Sequence, residues 1–373
     1  MKQMGRSWSL FPALLVLSEL GMIATASQLG CNSGSPSGKE LTVLSLIAGE
    51  VGMYGNVDGT GPAARFQQPW GVAADKAGNL YVSDSNNNTV RKVALASGLV
   101  STVAGGPMGF SGSTDGVGTD ARFNGPWGMA IDSAGNLYVA DQYNHTIRKV
   151  VLASGAVSTL AGTPRMIGST DGTGSAARFY EPQGVALDGA GNLYVADSRN
   201  RTIRKVVLAS GAVTTLAGTV GISGNADGAG SSARFGLPTG LAVDGAGNLY
   251  VADLNLHKIR KVELASAVVS TLAGGGTYGG ADGVGASAKF SSPEGIASDG
   301  AGNLYVADTG NHAVRKVELA GANVTTIVGT MGLASIMLGQ LPGGLNDPTS
   351  LAVLPSGAVV IVDSASHVVL EAR

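Results

Sequence analysis

Short apolar runs alternate with polar turns along most of the chain. One representative stretch contains four such runs, at Gly128–Asp132, Asn136–Asp141, Thr146–Leu152 and Ala156–Ala161. Short runs rich in Val, Ile, Thr and Tyr and bounded by Gly, Ser and Asn are typical of β-strands. The glycines of the first and third links, Gly135 and Gly155, suit the left-handed position of a short hairpin turn. The pattern therefore predicts an antiparallel meander of four strands, here called a, b, c and d.

This four-strand unit recurs along the chain. The run Gly-Asn-Leu-Tyr-Val begins at Gly78, Gly135, Gly191, Gly247 and Gly302, and a degraded sixth copy begins at Gly357. A single small sheet cannot cover both of its apolar faces, whereas sheets stacked face to face around a closed ring can. The repeat therefore predicts an all-β fold, a six-bladed β-propeller of four-stranded antiparallel blades.

The two ends of the repeat region complement each other. The last unit begins at Pro348, supplies strands a, b and c, and ends at Arg373 without a d strand. The stretch Leu41–Ala48, which precedes the first complete unit, matches the d pattern. We therefore expect residues 41–373 to form one propeller whose ring is closed when the N-terminal strand pairs with the C-terminal blade.

Composition agrees with this architecture and narrows the function. The 58 glycines supply turns and exclude long helices, because glycine in a helix costs about 1 kcal/mol per site. The net charge is −2, and the Arg-Lys pairs in the c strands are spread evenly around the ring. Proteins that bind the phosphate backbone of nucleic acids usually concentrate positive charge on one face. We therefore expect no nucleic-acid partner, and we expect the arginines to pair with nearby aspartates.

The N-terminal residues differ from the rest of the chain. Residues 1–31 combine a basic start with an apolar stretch that is too short and too interrupted for a good membrane span. This combination predicts an export signal, cleaved either after Ala26 or before Cys31, which would then carry a lipid. Residues 32–40 are rich in Ser and Gly and are expected to form a flexible tether. The protein should be exported, as a periplasmic or cell-surface lipoprotein with a lipid anchor or otherwise in secreted form.

The link between strands b and c carries the clearest family signature. The run Asp308–Lys316 contains Asn-His followed by an apolar residue and Arg-Lys, and the preceding strand reads Gly-Asn-Leu-Tyr-Val-Ala-Asp. This pattern resembles the NHL repeat, and the resemblance covers residues 41–373. It implies a six-bladed propeller used as a binding platform, without implying any one ligand, because one fold supports many functions.

Several repeated polar residues are interpreted as structural. The four histidines, His145, His257, His312 and His367, all follow the last residue of strand b by four positions. Equivalent positions in adjacent blades are about 10 Å apart, too far for shared zinc ligands. The strand-b aspartates should cap backbone N–H groups, and the Asp-Gly-x-Gly loops offer too few oxygen ligands for calcium. We therefore predict no metal site, no cofactor and no catalytic residue among them.

A ligand should bind where the repeat varies, at the mouth of the central channel. The variable position of each Pro-x-Gly segment opens onto that mouth, and Tyr180 lies close to it in sequence. The candidate ligand-binding residues are Trp70, Trp127, Tyr180, Gln183, Thr239, Glu294 and Thr349. Aromatic side chains beside a few polar groups give a surface affinity and orientation. The competing interpretation is that Trp70 and Trp127 only pack against loops.

The sequence thus favours a monomeric, non-catalytic platform for a protein, peptide or glycan ligand. The alternative is a propeller enzyme of the lactonase or lyase type, which would hold a metal near the channel through side chains of several inner strands. Apart from a repeated terminal aspartate, the predicted inner strands carry no ionisable residue, and Glu294 is the lone acidic candidate at the mouth. The question of catalysis stays open, with the weight on binding.

Overall fold

The computed structural model describes residues 41–373. The predicted export signal, the lipidation site at Cys31 and the tether of residues 32–40 lie outside the described residues. Within 41–373 every helix is a short 3-10 turn, and none has the length and apolar content needed to cross a membrane. The described chain is therefore built almost wholly from strands and turns.

The strands form six antiparallel sheets, which are the blades. Strand β1 is Val43–Ala48 and belongs to the last blade of the chain. The first blade contains β2 (Gly59–Thr60), β3 (Pro69–Ala74), β4 (Asn79–Asp84), β5 (Thr89–Ala94) and β6 (Leu99–Ala104). The second blade contains β7 (Gly116–Val117), β8 (Pro126–Ile131), β9 (Asn136–Asp141), β10 (Thr146–Val151) and β11 (Ala156–Ala161). The third contains β12 (Gly172–Thr173), β13 (Pro182–Leu187), β14 (Asn192–Asp197), β15 (Thr202–Val207) and β16 (Ala212–Ala217).

The remaining three blades repeat the arrangement. The fourth contains β17 (Gly228–Ala229), β18 (Pro238–Val243), β19 (Asn248–Asp253), β20 (Lys258–Glu263) and β21 (Val268–Ala273). The fifth contains β22 (Gly283–Val284), β23 (Pro293–Ser298), β24 (Asn303–Asp308), β25 (Ala313–Glu318) and β26 (Asn323–Val328). The sixth contains β27 (Gly339–Gln340), β28 (Pro348–Val353), β29 (Val359–Asp363) and β30 (Val368–Ala372), together with β1.

Short 3-10 turns join these strands at recurring places. Those between strands b and c are Ser85–Asn87, Gln142–Asn144, Ser198–Asn200, Leu254–Leu256 and Thr309–Asn311. Those after the short outer strand are Gly61–Ala63, Gly118–Asp120, Gly174–Ala176, Gly230–Ser232 and Gly285–Ser287, and one more turn spans Pro107–Gly109.

The six-bladed propeller is confirmed, but each blade has five strands where the sequence predicted four. The additional strand is a two-residue segment of the long connection between blades, as in the pairing of Gly59 with Val100 and Thr60 with Leu99. This segment runs along the open edge of strand d and uses its free backbone hydrogen-bonding groups. Two residues are too few to show an alternating pattern, so this strand could not be predicted from the sequence.

The predicted closure of the ring is confirmed. Strand β1 pairs antiparallel with β30, with Leu44 opposite Ala372 and Leu46 opposite Leu370. The sixth blade therefore combines both ends of the described chain in one sheet. Because strands from distant parts of the sequence share hydrogen bonds here, the two ends hold the ring closed.

The core lies between neighbouring blades. In one of the six interfaces, Leu80 and Val82 of the first blade pack with Val360 and Val362 of the sixth, and all four side chains are fully buried. In five of the six interfaces, a fully buried phenylalanine from the connecting loop, such as Phe66, belongs to the same apolar cluster. Burial of both sheet faces accounts for the low charge of the chain.

The arginine of each Arg-Lys pair is buried beneath the loop that precedes its blade. Arg91 donates to Asp84 at 2.8 Å and to Asp58 at 2.5 Å, and its guanidinium group lies 5.3 Å from the centre of the Phe66 ring. The same arrangement surrounds Arg148, Arg204 and Arg315. Arg260 donates to the loop aspartate Asp227 at 2.6 Å, but it lies 3.7 Å from the strand-b aspartate Asp253. Pairing with aspartate is as expected. The loop aspartate, Asp58, thus pairs with the strand-c arginine. The loop arginine, Arg65, donates instead to carbonyl groups of its own loop.

Candidate functional site

The central channel is lined by glycines because the inner strands touch. A Cβ atom on Gly184 would lie 2.0 Å from the carbonyl oxygen of Thr239, and one on Gly240 would lie 2.1 Å from that of Glu294. No side chain fits at such a distance, so each Pro-x-Gly segment requires its glycine. The variable residue that precedes each glycine therefore supplies the side chain at the channel mouth.

Two of the predicted mouth residues connect neighbouring blades. The Thr239 hydroxyl donates to the Glu294 carbonyl oxygen at 3.2 Å, and the Thr349 hydroxyl donates to the Trp70 carbonyl oxygen at 3.1 Å. Both threonines are buried. Their hydroxyl groups are occupied in holding inner strands together, so their part in ligand binding stays a prediction.

Trp70 and Trp127 stack on each other at the mouth. Their ring centroids lie 3.9 Å apart and their planes are inclined by 37°. Both side chains are only partly buried. The two tryptophans therefore pack on each other and keep part of their aromatic surface exposed, and their part in ligand binding stays a prediction.

Glu294 lies at the mouth beside Trp70. Burial first, and then the negative charge of Asp347, raise the pKa of its carboxyl group to about 8, although the nearby Trp70 indole opposes the rise. Within residues 41–373 its Oε2 atom has no hydrogen-bond partner. The group is therefore protonated at neutral pH and ionises only in mildly basic solution.

Asp347 belongs to the sixth-blade loop next to this carboxyl group. Burial and the neighbouring Asp363 raise the pKa of Asp347, and His312 opposes that rise. No group of three His, Cys, Asp or Glu side chains in the described part of the chain is arranged to hold a metal ion. The two carboxyl groups on this side of the mouth therefore both have a raised pKa.

A groove of about 300 Å³ opens beside the tryptophan pair. It lies over the mouth ends of the first three blades, and its lining includes Trp70, Trp127, Gln142, Tyr143, Gln183 and Arg199. Gln183 was a predicted site residue, and its side chain is buried, with only 8% of its surface exposed. Gln142 was missed by the sequence analysis, and it is only 3% exposed.

Both glutamines have an unsatisfied oxygen. The Oε1 atoms of Gln142 and Gln183 are buried and accept no hydrogen bond from any described residue. At the position of Gln142, the other blades carry mostly Ser or Thr. There the hydroxyl donates to a proline carbonyl of the next blade, as Ser198 does to Pro238 at 2.7 Å. Gln142 departs from that pattern, and this departure is the signal that could have identified it.

The rim of the groove carries one ion pair. Arg199 donates to Glu181 at 2.9 Å, and both groups are at least partly exposed. Tyr143 stands at the same rim and is 51% exposed. The two charges offset each other, so the groove has polar and aromatic groups but little net charge.

Tyr180 lies elsewhere. Its ring packs edge-on against His145, with centroids 5.8 Å apart, and it lines neither the channel nor the groove. The histidines adopt left-handed backbone angles at the b–c turns, as in His145 with φ 59°. The Nδ1 atom of His145 accepts the Glu181 backbone N–H at 3.2 Å, which ties one blade to the loop of the next. The interpretation of these histidines as turn residues agrees with this geometry.

The ring of blades, its channel and its variable mouth define a six-bladed β-propeller. A sequence model described as "NHL repeat" matches residues 66–93, 123–150, 179–206 and 290–317. The chain belongs to the NHL-repeat family.

Curated relatives contain this propeller within longer chains. The chain is 31% identical to "NHL repeat-containing protein 2" of Bos taurus, over 82% of its own length and 46% of the relative. It is 30% identical to "Protein SUPPRESSOR OF QUENCHING 1, chloroplastic" of Arabidopsis thaliana, over 73% of its own length and 27% of the relative. The chain thus spans less than half the length of these relatives.

Solved structures share the fold at low sequence identity. A structural genomics protein of unknown function from Bacteroides thetaiotaomicron superposes with a TM-score of 0.71 at 22% identity, covering 89% of this chain and 76% of that one. An auxiliary nutrient binding protein from Bacteroides ovatus superposes with a TM-score of 0.67 at 16% identity, covering 90% and 77%. At these identities the likeness establishes the architecture alone.

Proposed function

We propose that this protein is an exported, non-catalytic binding platform of the cell envelope that holds a protein, peptide or glycan ligand on the mouth face of its propeller. The observation that carries the proposal is the stacked, partly exposed Trp70–Trp127 pair beside a groove of about 300 Å³. Sites for small ligands combine aromatic walls with a few placed polar groups, and they usually have volumes of about 300–1,000 Å³. The nutrient-binding description of one structural neighbour is compatible with this proposal.

Binding is tested by removing the aromatic pair. The full chain and its Trp70→Ala/Trp127→Ala variant are immobilised, exposed to envelope extract, and compared by mass spectrometry of what each retains. Tyr278→Ala is the matched control, because Tyr278 is 77% exposed and lines neither the channel nor the groove. Binders should be lost from the double variant and kept by the control, while thermal unfolding shows that both variants are folded. Equal retention by all three proteins would contradict the proposal.

Export is tested separately. The lone cysteine follows an apolar stretch and precedes a Ser- and Gly-rich segment, which supports lipidation at Cys31. Bacterial cells that express the full chain are labelled with a fatty-acid analogue and fractionated. Label in the membrane fraction that disappears in Cys31→Ser supports an anchored protein. A soluble, unlabelled protein that remains in the cytoplasm would contradict export by either route.

The acidic side of the mouth favours a second candidate, a channel enzyme. Buried carboxyl groups with a raised pKa near neutrality are common among general acids, and Glu294 is such a group. Metal analysis of the purified protein tests this candidate. A stoichiometric metal that is lost in Glu294→Gln would favour the enzyme over the binding platform.

A further inference from the structure

The groove beside the tryptophan pair contains hydrogen-bond acceptors that the protein itself does not satisfy. The Oε1 atoms of Gln142 and Gln183 lack donors within the described chain, although their side chains are more than nine-tenths buried. A buried acceptor without a donor is unfavourable, and a ligand that brings a donor removes that penalty. The groove is therefore built to meet a ligand rich in hydrogen-bond donors.

Gln142 has no structural task that would otherwise explain it. Where Ser85, Ser198 and Thr309 stand in other blades, the hydroxyl donates to the next blade's proline carbonyl at 2.5–2.7 Å. In the second blade, Gln142 stands in place of that hydroxyl residue. The same blade supplies Trp127, and the next blade supplies Gln183. The two amides and the tryptophan pair thus meet in one groove at the point where the repeat departs from its pattern.

The electrostatics of the groove favour an uncharged ligand. Its charged side chains, Glu181 and Arg199, form an ion pair with an N–O distance of 2.9 Å and offset each other. The other polar side chains along the wall are amides and hydroxyls, such as Asn86 and Ser85. A cation would meet Arg199, and an anion would meet Glu181, so neither sign of charge is favoured.

The remaining wall is aromatic. Trp70, Trp127 and Tyr143 present rings beside the amides. A sugar ring has a face of C–H groups, which packs on aromatic surface, and an edge of hydroxyls, which donate to amide oxygens. An alkyl chain of a lipid or an aliphatic side chain lacks the hydroxyl donors that the two amide oxygens would accept. A folded protein surface would need a far larger contact area than such a groove provides.

We propose that this groove binds a neutral saccharide, with its ring against the tryptophan pair and its hydroxyls donating to Gln142 and Gln183. The inference rests on the proposed binding function and specifies the class of its ligand. It assigns the ligand to the groove over the first three blades, which Glu294 and Asp347 do not line.

The test uses the full chain on an array that carries neutral, uronic-acid-containing and phosphorylated oligosaccharides, with choline as a cationic probe in solution. We expect saturable binding to a neutral oligosaccharide. In Gln142→Ser and in Gln183→Thr, which introduce residues found at these positions in other blades, the affinity should fall about tenfold, the loss expected for one hydrogen bond. Gln340→Ser, at an exposed glutamine of the outer strand β27, is the matched control and should bind as the wild type does.

Several outcomes would overturn the inference. These are preference for acidic or phosphorylated sugars, binding of choline alone, binding of no array member, or neutral-sugar binding that both glutamine variants retain. Thermal unfolding distinguishes a lost ligand from a lost fold. If the array shows no binding but envelope capture still depends on Trp70 and Trp127, the saccharide inference fails while the binding function stands.

Discussion

The sixth blade and the five before it share one strand order but differ at two places where the repeat is most regular. Beneath the loop, a buried arginine in five blades is replaced by Leu370, and the loop aspartate that pairs with it is missing. Along the channel, Ser350 replaces the glycine that the other inner strands require. The sixth blade therefore folds without the buried arginine and without the inner-strand glycine that the other five blades share.

The blades differ in the interactions that anchor the long connection between strands d and a. In the first five, a buried arginine joins the strand-b aspartate, the loop aspartate and a phenylalanine ring, so a polar network anchors the long connection. In the sixth, Leu370 packs with Leu44 and Leu345, and Asp363 accepts backbone N–H groups of Asn346 and Asp347. An apolar contact and a capped carboxylate can thus replace a buried ion pair, as expected where desolvation offsets much of the Coulomb attraction.

Breaking the network in one blade should have the largest effect. Arg204→Ala leaves Asp197 buried and without its cation, and we expect it to lower the free energy of unfolding by about 3–5 kcal/mol. Denaturant unfolding measures the change. Lys205→Ala, at the partly exposed neighbour in the same strand, is the control and should change stability far less.

The sixth blade suggests how to repair that variant. Arg204→Leu combined with Asp197→Asn removes both buried charges. The leucine is the residue that the sixth blade carries at this position, although that blade keeps its aspartate, Asp363. This double variant should be more stable than Arg204→Ala. If it were equally unstable, the arginine network would be a requirement of the blade and not one of two solutions.

Filling the channel side of a regular blade should have the next largest effect. Gly184→Ala places a methyl group about 2.0 Å from the Thr239 carbonyl oxygen, so the inner strands must separate. We expect a loss of about 1–3 kcal/mol in the free energy of unfolding, typical of overpacking. Gly321→Ala is the control, because a Cβ there would have no neighbour within 4 Å. Equal effects of the two substitutions would show that contact along the channel does not explain the repeated glycine.

The repeat itself made most of the fold predictable. Five nearly identical units and a matching N-terminal run determine the blade number and the closure, since a strand missing at one end is present at the other. The fifth strand could not be predicted, because Gly59–Thr60 gains its partners only when the connection passes the open edge of strand d. Local periodicity carries no information about such a long-range contact.

The candidate site was predictable only in part. Variation within the Pro-x-Gly segment identified Trp70, Trp127 and Gln183, which the structure places around the groove and channel. Tyr180 is close to them in sequence, but its ring packs on His145 and lines neither the channel nor the groove. Gln142 became meaningful only once the inter-blade hydrogen bonds of its serine and threonine counterparts were visible.

The acidic group between the fifth and sixth blades should make stability depend on pH. Its folded-state pKa of about 8 lies above the ordinary value of 4.5, so the folded protein keeps a proton that the unfolded chain releases. Stability from this group is therefore present below pH 4.5 and is lost as the pH rises through about 8. Glu294→Gln removes this loss, so its melting temperature relative to wild type should increase from pH 5 to pH 9.

The sixth blade contributes to that effect through Asp347, whose charge lies close to Glu294. Asp347→Asn should reduce the pH dependence without abolishing it, because burial is the larger cause. Glu318→Gln, at an exposed carboxyl group of the fifth blade, serves as the control. A melting-temperature difference for Glu294→Gln that does not change with pH would contradict the assignment of a buried, protonated carboxyl group.

The smallest expected effect concerns the blade that departs from the pattern at the groove. Gln142→Ser supplies the hydroxyl that its counterparts donate to the next blade's proline carbonyl, here that of Pro182, and it removes a buried oxygen without a donor. We expect it to raise the free energy of unfolding by about 0.5–1.5 kcal/mol, the net value of one hydrogen bond. Denaturant unfolding of the ligand-free protein measures this change, and Gln340→Ser should show none. A gain in stability coupled to a loss of sugar binding would mean that the second blade keeps a less stable residue for the sake of its ligand, whereas a loss of stability would mean that Gln142 has a structural partner of its own.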